Sequence, residues 1–171
     1  GSTTGGIQYF FKRAPKFFDT VCYTGDGVTG RSVSHNLEVA PELLLVECRS
    51  NSDSWAVYAS SQGSSKETYL NGTGAFSTGN SIWTGTDPTA TAFYVKNDGQ
   101  VNTNGRTYIG LLFASLDGIS KVGTYTGTGS DGIDVDCGFT SGARLVIIKR
   151  TDSTGNWFCW DSARGIVSGN D

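Results

Sequence analysis

Two carboxylates two residues apart, Asp134 and Asp136 in Asp134-Val135-Asp136, share one face of the chain wherever it is extended. Glycosidases built on sandwich folds use such a pair as acid and nucleophile, and with Asp131 the pair also fits a Ca²⁺ cluster. The chain supplies its own counter-argument: the positions 102 residues earlier are Ser32 and Ser34, so a solvated polar face accounts for both stretches. Gly25-Asp26-Gly27-Val28-Thr29-Gly30 and Gly127-Thr128-Gly129-Ser130-Asp131-Gly132 both read G-x-G-x-x-G. Dinucleotide binding by that pattern requires a helix N-terminus after the glycines. Extended segments are predicted after both, so these are turns in which glycine supplies positive φ. His35, the only histidine, has no Ser or Cys nucleophile beside it in a recognisable local signature, and is expected as a hydrogen-bonded surface or edge residue.

Binding chemistry is better served than catalysis. Tyr69, Trp83 and Tyr94 lie in a loop-rich middle stretch with Asn and Asp nearby. Aromatic faces stack on the apolar faces of sugars while amides and carboxylates take their hydroxyls, which makes these three the candidate glycan contacts, with core packing as the competing use of the same residues. Phe10-Phe11-Lys12-Arg13-Ala14-Pro15-Lys16-Phe17-Phe18 interleaves cations with aromatics, a pattern that suits single-stranded nucleic acid. The run is short and alone, and is expected instead as two strands around a basic turn with the phenylalanines in the core. Cys22, Cys48, Cys137 and Cys159 have no metal-type spacing, and their positions 102 residues away are Thr124, Arg150, His35 and Val57. They are expected to be mostly free and partly buried, with one disulfide remaining possible. Asn71-Gly72-Thr73 is formally a glycosylation sequon, informative only in a secretory setting. No residue is assigned to catalysis, to a cofactor or firmly to a metal, and the chain is not expected to be an enzyme.

A net charge of −3 and a pI near 5.1 give no field that would gather phosphate backbones, so nucleic acid is not an expected partner. No apolar run approaches the roughly 18 residues of a membrane-spanning helix. Twenty-four glycines, about twice the usual share, together with abundant Ser and Thr point to many tight turns between short strands. The 171 residues, 37% of them hydrophobic, suffice for one ordinary domain or one domain and part of another. Methionine is absent even at position 1, from which the chain is expected to be cut from something longer; Gly1-Ser2 is either left by cloning or a trimming point.

The elements that would position these residues come twice. Tyr23-Thr24-Gly25-Asp26-Gly27 returns as Tyr125-Thr126-Gly127-Thr128-Gly129, an offset of 102 residues that holds without a gap. It carries Val33 onto Val135, Leu43-Leu44-Leu45-Val46 onto Leu145-Val146-Ile147-Ile148 and Trp55 onto Trp157, and reaches weakly upstream to place Phe10-Phe11 on Leu112-Phe113. Strands are predicted at 7–11, 20–24, 31–36, 42–49, 55–60, 67–71, 92–96, 107–114, 121–126, 133–139, 143–150 and 156–161, with no long helix. The fold class is all-β, an antiparallel sandwich. Segments 43–46 and 145–148 read as central strands covered on both faces, and so does the strand at 156–161. The 61–107 stretch between the copies is the expected functional surface. Units 17–58 and 119–160 either pack as halves of one sandwich spanning 1–171, the organisation favoured here because an incomplete module would expose a sheet edge, or belong to successive modules divided at 1–16, 17–118 and 119–171.

Phe11-Lys12-Arg13-Ala14-Pro15-Lys16-Phe17-Phe18-Asp19, Tyr23-Thr24-Gly25, Val33-Ser34-His35-Asn36-Leu37, Ala40-Pro41-Glu42, Lys149-Arg150-Thr151-Asp152-Ser153 and Trp157 through Trp160-Asp161-Ser162-Ala163-Arg164-Gly165 carry a further signal. Across almost the whole chain they resemble repeated modules of large structural proteins of bacteriophages, marine ones especially. The resemblance implies a concanavalin A-like, laminin G-like sandwich, or jelly roll, with internal duplication, located in the virion as part of a tail fibre or other appendage. It also implies other virion chains as partners, bacterial surface glycans as host-recognition targets and a homo-oligomer, a trimer by analogy with fibres. The family's motifs carry no catalytic residues to transfer. A free lectin on the same fold and a glycan depolymerase using Asp134 and Asp136 are the alternative readings.

Overall fold

The structure is a computed structural model that describes residues 8–79 and 81–165. It is all-β and antiparallel, with ten strands and, among the described residues, no helix. A six-stranded sheet runs in the order β1 (Phe18–Thr24), β8 (Thr107–Phe113), β3 (Leu43–Cys48), β4 (Ala56–Ala59), β5 (Lys66–Tyr69) and β6 (Ser77–Thr78). Two-stranded sheets are formed by β2 (Arg31–Ser34) with β7 (Ala92–Val95) and by β9 (Leu145–Lys149) with β10 (Trp157–Asp161).

The sandwich forms because β3 is apolar on both faces and its side chains alternate between two cores. Leu44, Val46 and Cys48 join Tyr58, Tyr108 and Leu112 of the large sheet against Val33, Phe93 and Val95 of the β2–β7 ribbon, with Leu37, Ile82, Trp83 and Val101 closing the layer from loops. On the other face Leu45 and Val57 pack with Phe76, flanked by Leu43, Leu111, Phe113 and Trp157. Strand β8 fills the space between β1 and β3, pairing Leu112 with Asp19 on one side and with Leu44 on the other.

The polar end of this sandwich is fastened by Asn102, fully buried and fully bonded. Its amide donates to Asp26 and to the Val28 carbonyl, and its oxygen accepts from the Asp26 N–H and from Arg31. Tyr23 and Tyr108 stack beside it with centroids 5.3 Å apart. Tyr108 donates to the Gly99 carbonyl and accepts from the Thr103 N–H, and Tyr23 donates to Val101. Gly25 lies so close to this loop that a Cβ would run into the Thr103 carbonyl oxygen.

Three local features lie 102 residues apart in pairs. In the β3–β4 hairpin Leu44 faces Tyr58 and Leu45 faces Val57; in the β9–β10 hairpin Val146 faces Trp160 and Ile147 faces Cys159, the same register. The tight turn that bridges Ala14 to Phe18, with Lys16 at φ 62°, matches the one that bridges Leu116 to Ser120, with Gly118 at φ 70°. The Ser60 N–H donates to Glu42 O, and the Ser162 N–H to Arg144 O.

Several predicted strands are absent. Residues 121–126 and 133–139 are irregular, whereas their counterparts β1 and β2 exist because β8 and β7 pair with them; among the described residues no strand does this for the second copy. Strand β9 is consequently not central and β10 is not covered on both faces: Ile147, Phe158 and Trp160 are exposed. Segment 8–11 is no strand either, and Phe10 is not in the core; position 7 lies outside the described residues. The two-residue β6 went unpredicted, being too short to show a pattern.

Candidate functional site

None of the three expected aromatics forms a shared platform. Trp83 is 4% exposed, packs edge-on against Tyr58 and donates its indole N–H to the Val57 carbonyl, so its ring serves the core and has no face for a sugar. Tyr69, at the end of β5, is half-buried against the same core, where burial raises its phenol pKa. Tyr94 is half-buried on β7, on the opposite side from the inward Phe93 and Val95.

The other motifs separate from chemistry in the same way. Asp131, Asp134 and Asp136 are exposed on irregular chain, Asp136 accepts from the Gly138 N–H, and no metal-binding group of three His, Cys, Asp or Glu assembles among the described residues. After Gly25-Asp26-Gly27-Val28-Thr29-Gly30 comes β2, with Gly27 and Gly30 at φ 71° and 88°. The expected strand after the second such turn is missing, although Gly129 and Gly132 both sit at φ 77°. His35 is buried rather than at the surface: its Nδ1 accepts from the Leu37 N–H, which leaves Nε2 to donate to Thr89 O. Burial holds its pKa below 6.5, against the opposing pull of Thr89 and Asp19. All four cysteines are free, Cys48 buried and Cys22 and Cys159 exposed.

What the structure does assemble is the β9–β10 hairpin. One face lies on the sandwich: Trp157 donates its indole N–H to Tyr69 O at 3.0 Å and Lys149 Nζ reaches Thr73 O and Gly155 O. At its end Asp161 is buried and accepts from Tyr9 Oη at 2.7 Å, from Arg164 Nε at 2.7 Å and from the Ala163 and Arg164 N–H groups. The bond from Tyr9, then those from Arg164, hold its carboxyl below the usual range, and the same bond pushes Tyr9 up to about 12. A shallow depression beside it is lined by Cys159, Trp160, Asp161, Arg164 and Gly165.

The opposite face carries Val146, Ile148, Phe158 and Trp160, the last two stacked at 5.3 Å with planes 8° apart and 49% and 43% exposed. Subtracting the offset gives Leu44, Val46, Ala56 and Tyr58, all buried in the main core. The hairpin therefore exposes Phe158 and Trp160, beside half-buried Val146 and Ile148, where the first copy has core.

A family model described as a domain of unknown function, DUF7483, matches residues 7–170. The chain belongs to that family. No curated protein and no solved structure matches it. The DUF7483 match takes in both copies of the hairpin, the closed and the open, within one family unit. Sequence reasoning missed the open face because Leu145-Val146-Ile147-Ile148 reads as covered strand, and the segment itself does not show which neighbours pair with it.

Proposed function

We propose that this chain is a structural module of a bacteriophage tail fibre or other virion appendage, a duplicated laminin G-like sandwich that holds other protein chains and takes part in recognising the host surface. The carrying observation is the face of half-buried Val146 and Ile148 and exposed Phe158 and Trp160, whose counterparts 102 residues earlier are core. Such a face suits a protein that works by assembly. The resemblance over 11–19, 33–37 and 149–165 supplies the virion as the setting, other virion chains as partners and a homo-oligomer as the form. Immunogold labelling of purified virions with antibody raised to this chain tests the setting. Labelled appendages are expected; unlabelled particles, with the antigen free in the lysate, would overturn it.

Glycan binding is the second reading, favoured by the stacked and exposed Phe158 and Trp160. Specific retention on an array of bacterial surface glycans, with and without Ca²⁺, that Trp160→Ala abolishes would establish it; retention unchanged in that variant would remove this surface from the reading.

A further inference from the structure

In the first copy the outer edge of β3 is filled by β8, with Leu43 facing Phe113, Leu44 facing Leu112 and Leu45 facing Leu111. In the second copy the same edge of β9 is bare: among the described residues β9 pairs only with β10. The chain carries a second segment whose sequence matches β8. Shifted by 102 residues, Tyr9-Phe10-Phe11 falls on Leu111-Leu112-Phe113, and the turn after it, Ala14 to Phe18, matches the turn after β8, Leu116 to Ser120. Yet this segment is not a strand here. Phe10, at 87%, is the most exposed large apolar side chain among the described residues.

We infer that the 8–11 segment of one copy of this chain inserts along β9 of a second copy, between β9 and the 120–126 segment, as β8 lies between β3 and β1. The register is fixed by the first copy: Phe11 opposite Leu145, Phe10 opposite Val146 and Tyr9 opposite Ile147. Alternation along the strand then puts Phe10 on the face of Val146 and Trp160, as Leu112 lies with Leu44 and Tyr58 in the main core. Tyr9 and Phe11 join Ile147 and Leu145 on the other face. One occupant thus satisfies the bare edge of β9 and covers part of its apolar face. In the free chain Tyr9 is held by Asp161 and Arg164, and Phe11 packs on Phe18 and Phe113; the exchange gives up these contacts for strand pairing along β9. Donor and acceptor are different surfaces, so the contact is heterologous and builds a ring if the rotation closes and an open chain if it does not. This inference stands independently of the phage setting.

Sedimentation velocity of the full chain across a wide concentration range tests it. The weight-average mass is expected to rise with concentration. Phe10→Asp breaks the donor and Ile147→Lys breaks the acceptor, both at exposed side chains whose exchange leaves the sandwich core intact, as circular dichroism would verify. Each variant alone is expected to stay monomeric, and an equal mixture to form a dimer and nothing larger, because only one intact donor and one intact acceptor remain per pair. A wild-type chain that stays monomeric throughout, a Phe10→Asp variant that associates like wild type, or a mixture that yields no dimer would overturn the inference.

Discussion

The β3–β4 and β9–β10 hairpins share one register and differ in everything that surrounds them. Around the first, β8 and β5 pair along its edges, the β2–β7 ribbon covers one face, and Phe76 with Trp157 covers the other. Around the second, one face touches Tyr69 and Thr73 through Trp157 and Lys149 while its Ile147 stays exposed, and the other exposes Phe158 and Trp160. The lesson concerns what makes a strand. An apolar β-rich segment supplies the capacity to pair, and neighbours decide whether it is used. Residues 18–24 form β1 beside β8, while the matching 120–126, with Tyr125-Thr126-Gly127 intact, stays irregular.

The largest difference between the copies is expected in the cores. Leu44→Ala opens a cavity in a fully buried site and should cost about 2–5 kcal/mol in denaturant unfolding, whereas its counterpart Val146→Ala should change stability by about 0.5 kcal/mol or less in dilute monomer. Equal losses would mean that the second hairpin is packed as well as the first. Glycine sharpens the same contrast. Gly25→Ala forces a methyl into the Thr103 carbonyl and should lose about 1–3 kcal/mol; Gly127→Ala, with nothing within 4 Å, should fall within about 0.5 kcal/mol of wild type.

Smaller effects probe the links. Trp157→Phe keeps the ring on the sandwich but removes the bond to Tyr69 O, worth about 0.5–1.5 kcal/mol. Amides of β9 and β10 should then exchange faster while those of β3 hold; unchanged exchange would mean that the bond does not dock the hairpin. His35 has Cys137 as its offset counterpart, so only the first copy carries this acid sensitivity. The folded-state pKa lies below the unfolded 6.5, the unfolded chain binds the proton more readily, and stability present above that pH is lost as pH falls through the folded value. Protonation also breaks the Leu37 N–H bond to Nδ1. Melting curves recorded from neutral pH downward should show this slope, and His35→Gln should flatten it.

Much of the fold was legible because periodicity and turn chemistry are local. Leu43-Leu44-Leu45-Val46 announced a strand covered on both faces, and the glycine clusters announced turns. The failures are all non-local. Trp83 read as a loop aromatic because sequence cannot show that its loop folds back over a sheet to bury it. His35 read as an edge residue because its burial depends on a distant loop, where the Thr89 carbonyl takes its Nε2 hydrogen. Val146, Phe158 and Trp160 read as buried because they are apolar like Leu44, Ala56 and Tyr58; the neighbours that pair and cover the first set are what distinguishes them. The candidate surface was not read from any motif; only the weak match of Phe10-Phe11 to Leu112-Phe113 in the repeat bears on it.

The most direct test of the open-hairpin account is amide hydrogen exchange on the full chain at low and at high protein concentration. Protection of Leu43–Cys48 should be the same at both, while that of Leu145–Lys149 should be weak in dilute solution and rise with concentration as its bare edge is filled. Concentration-independent protection across Leu145–Lys149 would contradict the account.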